Sequence, residues 1–254
     1  MIRYSVLSSG SCGNSYVFEC DGQSILIDAG LSFKQLQLRL QAGGYDISSV
    51  RALFLTHLHP DHAHCAGTFA RRTGLPVYVS KKCRLHAGTE YIALNLPQDS
   101  EMVIEAGDVV FSGPFSVSCF YTSHDSAGSC GYIISACGKT FMIITDTGTV
   151  NSQMIEDARK ADFLFLESNY DVQMLRHGPY PVRLQRRVAG EKGHLSNDQA
   201  RSFLFDAGFH ESGKPVYLIH LSDNNNNPSV VLDAMCGFNA FVCARGFQYN
   251  FECP

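Results

Sequence analysis

The sequence predicts an α/β sandwich, with helices packed outside two β-sheets. Short apolar runs alternate with helical stretches in both halves of the chain, and glycine-bearing turns punctuate them. Several apolar runs also end on a histidine or an aspartate, which places polar groups at one rim of the expected sheets. Neither an internal repeat nor a low-complexity linker interrupts the pattern, so residues 1–254 read as one domain.

The elements follow in order. Residues 2–8, 15–20 and 23–28 read as short strands separated by turns, and a helix over 32–42 follows Ala29-Gly30. Residues 51–56 read as a buried strand that runs into a histidine cluster. A helix over 61–73 stops at Gly74, and 75–79 form the next strand. Further strands are expected near 101–105, 108–111, 115–121, 130–137 and 140–145. A helix at 152–159 precedes a strand at 163–166. Helices near 197–207 and 228–235 flank a strand at 216–219, and residues 238–242 close the set.

A chain of 254 residues can bury roughly 75% of its unfolded surface. Its 45% apolar and 17% charged content is that of a soluble globular protein. No run approaches the ~20 apolar residues of a membrane span, and Met1–Leu7 reads as a strand with no basic leader or cleavage site. The expectation is a cytoplasmic protein. The ten cysteines form no CxxC pair and are scattered through apolar segments, which predicts free buried thiols in a reducing compartment rather than metal ligands. A formal net charge of −4 opposes nonspecific attraction of nucleic acid over the whole surface but leaves room for a local basic patch.

The segment Thr56-His57-Leu58-His59-Pro60-Asp61-His62 is the strongest chemical signal. At strand spacing His57 and His59 point to one face and suit one ion. Asp61 and His62 follow the turn at Pro60, where the chain can fold back over a neighbouring ion. Three histidines and a carboxylate at the end of an apolar strand are costly to bury unless something coordinates them. Candidate partners stand at other strand ends: His124 after 117–121, Asp146 after 141–144, and His220 after 216–219.

This order of His-x-His-x-Asp-His followed by His, Asp and His resembles the metallo-β-lactamase superfamily, with Asp28 in Ile25–Gly30 matching its first motif. The resemblance implies an αββα sandwich of two mixed sheets flanked by helices. It assigns His57, His59 and His124 to one divalent ion and Asp61, His62 and His220 to a second, with Asp146 bridging and Asp28 bracing the loop from behind. His64 and His86 match no ligand position. The N/O donor set suits Zn2+, Mn2+ or Fe2+.

Four features bear on the substrate. Asp61 occupies a position that zinc β-lactamases also use, whereas an aspartate rather than a cysteine at 146 points to the dinuclear hydrolases. Gly193-His194-Leu195-Ser196-Asn197, opening a helix, is similar to an element of the tRNA 3′-processing endonucleases whose histidine protonates the leaving oxygen. Glu167, at the end of 163–166, resembles the glutamate that pairs with that histidine. Between these motifs Arg176, Arg183, Arg186, Arg187 and Lys192 gather positive charge, and Arg183, Arg186 and Arg187 are expected on substrate phosphates. The glycine-bearing Ser9–Ser15 loop either offers backbone donors to phosphate, with Asn14 as a candidate contact, or forms a plain tight turn.

Across nearly its whole length the chain resembles the YycJ/WalJ-type family of bacterial metallo-hydrolases. The residues that carry this are Leu7–Ser15, the 57–62 cluster, Glu167–Asp171, Gly193–Asn197, and His220-Leu221-Ser222 with Asn224–Asn227. The resemblance implies a metal-dependent phosphodiesterase that digests double-stranded DNA from the 5′ end, with Asp61, His194 and Glu167 catalytic. The chain between Asp146 and His194 is too short for the large cap domain of RNA-processing relatives. A small-molecule metallo-hydrolase (thioesterase, lactonase or cyclic phosphodiesterase) would use the same metals without needing the arginines. A non-enzymatic nucleic-acid binder would need an incomplete ligand set, and this set is complete.

Overall fold

The computed structural model describes residues 1–253. Two seven-stranded mixed sheets stack face to face. The first runs, edge to edge, β14 (Tyr249–Cys253), β1 (Ile2–Ser8), β2 (Ser15–Cys20), β3 (Gln23–Ile27), β4 (Val50–Phe54), β5 (Val77–Ser80) and β6 (Glu101–Ile104). It is antiparallel from β14 to β3 and parallel from β3 to β6. The second runs β13 (Ala240–Val242), β12 (Val216–Ile219), β11 (Phe163–Glu167), β10 (Lys139–Ile144), β9 (Cys130–Ala136), β8 (Phe115–Tyr121) and β7 (Val109–Ser112). There the parallel half is β13 to β10 and the antiparallel half is β10 to β7.

The parallel strands read as unbroken apolar runs because both of their faces are covered. Between the sheets Tyr4, Phe18, Phe54, Phe115, Phe141 and Phe165 fill the central core. The hydroxyls of Tyr4 and Tyr217 meet at 2.6 Å in that layer, so neither polar tip is stranded. Outside the first sheet, α1 (Phe33–Ala42) and α3 (Ala66–Thr73) bury Leu36, Leu40, Phe69 and Ala70. Outside the second, α6 (Ser152–Lys160), α9 (Asn197–Asp206) and α11 (Pro228–Ala234) bury Met154, Phe203, Leu204 and Val231. Helix α9 starts where it does because Ser196 and Gln199 form a reciprocal capping box.

Several boundaries differ from expectation. Strand β4 ends at Phe54, so His57 and His59 lie on a loop rather than at strand spacing. The helix expected over 61–73 is broken into α2 (Pro60–Ala63) and α3. Five short helices and one strand were not anticipated: α4 (Lys81–His86), α5 (Thr89–Leu94), α7 (Val172–His177), α8 (Val182–Val188), α10 (Phe209–Ser212) and β14. These helices run four to seven residues, too short for a helical period to show in the sequence. The cysteine reading is corrected at one pair. Cys20, at the end of β2, is disulfide-bonded to Cys137 in the turn between β9 and β10, tying the two sheets together. The reason is topological: the fold brings Cα atoms 117 residues apart to within 6.9 Å. Cys65, Cys83, Cys119, Cys130 and Cys243 are buried and unbridged, as expected of core thiols.

Candidate metal centre

The site lies along one rim of the sandwich, where strand-end loops of both sheets converge. Asp28 follows β3, Asp146 stands two residues past β10, and His220 follows β12. All three adopt left-handed backbone conformations, with φ of 61°, 53° and 56°. A non-glycine residue there costs on the order of 1 kcal/mol and is held only where surrounding contacts fix it. Ser9 Oγ fixes His220 by accepting its backbone N–H at 2.8 Å. The 57–62 loop is anchored by backbone bonds from Asn14 N to Asp61 O and from Ala29 N to His62 O, each 2.7 Å. At Gly30 a Cβ would collide with the Asp61 carbonyl, so only glycine lets the two loops meet.

The structure brings all seven proposed ligands together. His57, His59 and His124 present nitrogens within 4.8 Å of one another, and Asp61, His62 and His220 form a second such group. Nδ1 of His59 is 3.3 Å from Nε2 of His124. Asp61 Oδ2 lies 3.6 Å from His62 Nε2 and 3.5 Å from His220 Nε2. Asp146 stands between the groups, with Oδ2 3.2 Å from His62 Nε2 and Oδ1 3.5 Å from His124 Nε2. These donors fit divalent cations. The decisive sign is Nε2 of His57, buried without a hydrogen-bond partner and aimed into the cluster. Burial also drives the His57 pKa well below the usual histidine value, which favours the neutral ring that a divalent ion would require. Burial alone would raise Asp146, but the imidazoles of His220 and His62 outweigh it and hold the carboxyl well below the usual carboxylate range.

Behind the ligands, Asp28 is fully buried. Its Oδ1 accepts the Thr56 backbone N–H at 2.8 Å, and its Oδ2 lies 2.7 Å from His62 Nδ1. The aspartate thus fixes which His62 nitrogen faces the cluster. Glu167, also fully buried, accepts the Leu195 backbone N–H at 2.9 Å through Oε1, which is 3.1 Å from His194 Nδ1. Its Oε2 accepts the backbone N–H of Asp146. Burial opposes a charged His194, yet Glu167 and then Asp146 outweigh it and raise its pKa. His194 Nδ1 is also 3.6 Å from Asp146 Oδ1, so the pair stands at the cluster's edge.

The expected phosphate contacts divide. Arg187 lines the cleft over the cluster together with Tyr180 and Leu184, but its Nε is engaged by Asp125 Oδ2 at 2.6 Å. Arg183 and Arg186 are exposed on α8 and do not line that cleft. Asn14 is corrected: it is fully buried, with its side-chain oxygen accepting from Gly10 N at 2.8 Å and its amide reaching Gly10 O and Asp61 O at 3.2 Å. It holds the metal loop from within and has no face for phosphate. His64 and His86 are exposed and belong to neither group.

Sequence reasoning missed Asp125 and Asn169. Asp125 Oδ1 lies 3.5 Å from His59 Nε2 and 3.4 Å from His124 Nε2, while the Asn169 amide donates to His220 O at 2.8 Å. The only signal for Asp125 was its place next to His124. The Asn224–Asn227 run has a structural reason: Asn226 donates to Ser168 O at 2.9 Å and to Asn197 Oδ1 at 2.8 Å. It thereby stitches together the loops carrying Glu167 and His194.

Fold and site together define a metal-binding hydrolase of the αββα class, and the comparisons agree. The model of the beta-lactamase superfamily domain matches residues 23–221, and the chain belongs to that superfamily. More narrowly, it is 36% identical to the exodeoxyribonuclease YycJ of Bacillus anthracis over 225 residues, 89% of this chain and 84% of that one. It is 34% identical to the exodeoxyribonuclease WalJ of Streptococcus pneumoniae serotype 2 over 226 residues, 88% and 83% of the two chains. The crystal structure of the metallo-beta-lactamase fold protein YhfI from Bacillus subtilis superposes with a TM-score of 0.72 at 19% identity, covering 98% of this chain and 99% of the other. Among the described residues no helix is long and apolar enough to cross a membrane.

Proposed function

We propose that the protein is a dinuclear metal-dependent phosphodiesterase, a 5′→3′ exonuclease acting on double-stranded DNA. The observation that carries this is the His194–Glu167 pair at the edge of a histidine and aspartate cluster suited to divalent ions. His57, His59 and His124 would hold one ion, Asp61, His62 and His220 the other, and Asp146 both. When bound, Zn2+ or Mn2+ would supply Lewis-acid neutralisation of the phosphate and a water acidic enough to attack at neutral pH.

The chain's own residues do the rest. His194 carries the proton that the departing 3′ oxygen needs, and Glu167 keeps that proton on the ring toward neutral pH. Asp28 and Glu167 hold their histidines in register, and Asn14 holds the loop beneath Asp61. Arg183 and Arg186, exposed on α8, would meet the phosphates of a long substrate outside the cleft. The two exodeoxyribonuclease relatives support a DNA substrate.

The test uses purified protein with Mn2+ or Zn2+ on end-labelled duplex DNA, single-stranded DNA and RNA. Stepwise loss from the 5′ ends of duplex DNA is expected. Hydrolysis of thioesters or lactones with no cleavage of any of the three nucleic acids would overturn the reading.

A further inference from the structure

Two clefts border the cluster at His59. One is the cleft of about 290 Å3 walled by Tyr180, Leu184 and Arg187. A second, larger cleft of about 490 Å3 lies between α2–α3 and α5, and His59 lines both, so the two are neighbours across that side chain. Its volume falls within the ~300–1,000 Å3 range of small-molecule sites. Nothing in the metal chemistry requires it.

We propose that this second cleft binds one nucleotide of the substrate strand, on the side of the scissile phosphate away from α8. The proposal rests on the nuclease reading. A polymer continues in both directions from the phosphate being cut, so a site with room on one side only could not seat it. The floor is apolar, from the buried side chains of Leu58 and Ala63, and Leu94 adds an apolar wall suited to a base. Arg71 supplies the cation, and its guanidinium is not free to wander. Nη1 donates to Asn95 O at 2.7 Å and Nη2 to Thr68 Oγ1 at 3.3 Å, which spans it from α3 to the end of α5. Two of its five N–H groups are used there, leaving the others for a phosphate. Glu90, the acidic group of the lining, stands on α5. It would repel a phosphate on that wall, which assigns the phosphate to Arg71 and turns the base toward α5.

Ala93, exposed on α5 and lining the cleft, allows a test that leaves the ligands alone. Ala93→Trp should fill the cleft and raise KM for a duplex oligonucleotide about tenfold. Arg71→Ala should lower the slope of log KM against log salt by about 1. Turnover of bis(4-nitrophenyl) phosphate, too small to need the cleft, should be unchanged in both. Unchanged duplex KM and salt slope in the variants, with the parent enzyme cutting DNA, overturns this proposal alone. An equal loss on the small diester also overturns it, because the effect would then pass through the metals. A parent enzyme that cuts the small diester but no nucleic acid overturns the nuclease reading and this proposal with it.

Discussion

Oε1 of Glu167 lies 3.1 Å from Nδ1 of His194, while Oε2 of the same carboxylate accepts the backbone N–H of Asp146. One buried side chain therefore sets both the proton affinity of the proposed acid and the position of the proposed bridging ligand. Replacing His194 with Ala should lower kcat by about 10²–10⁴-fold, with the metal content of the protein unchanged. Loss of metal on that substitution would contradict the role given to His194.

Glu167 raises the His194 pKa, so the acid form persists to higher pH than for a free histidine. Glu167→Gln removes the charge, lowers that pKa and should move the alkaline limb of the kcat–pH profile to lower pH. An unmoved limb would show that His194 is not the titrating acid.

Asp125 stands 3.5 Å from the outward nitrogen of His59 and is held by Arg187 at 2.6 Å. Asp125→Asn should weaken metal binding by about 10–100-fold, the usual effect of removing a carboxylate behind a metal-bound histidine. Calorimetric titration of the metal-free protein checks this. Arg187→Ala should act in the same direction more weakly, and Arg187→Lys should restore part of the affinity.

Arg183 and Arg186 are exposed and outside the cleft. If they meet DNA phosphates, the double Ala variant should bind duplex DNA with a salt slope smaller by about 2, roughly 1 per contact. Hydrolysis of a small phosphodiester should be unaffected. An unchanged slope would leave α8 without a part in binding.

At Gly30 the Asp61 carbonyl occupies the space a methyl group would need. Gly30→Ala should therefore destabilise the fold by about 1–3 kcal/mol and displace the metal loop. Chemical denaturation with and without metal measures both effects.

Most of the fold was legible because its strands are apolar runs bounded by glycine turns, and a parallel strand such as β11 or β12 shows that pattern directly. The residues of the cluster were legible because each ends such a run or belongs to the 57–62 segment. Three things were not. The left-handed backbone at Asp28, Asp146 and His220 arises from contacts such as the one Ser9 makes with His220, which no local pattern shows. The Cys20–Cys137 bridge joins residues 117 apart, a pairing that depends on how the sheets stack. Asn14 looked like a phosphate donor because it sits in a Gly/Ser loop, yet that loop folds inward and buries it against Asp61.

In the proposed mechanism Asp61 and its neighbours hold the ions that cleave DNA. The most direct test compares the parent protein with Asp61→Ala on 5′-labelled duplex DNA in Mn2+, with circular dichroism on both proteins. The parent should release 5′ mononucleotides and the variant none, at equal folded content. Undiminished digestion by a folded Asp61→Ala protein would contradict it.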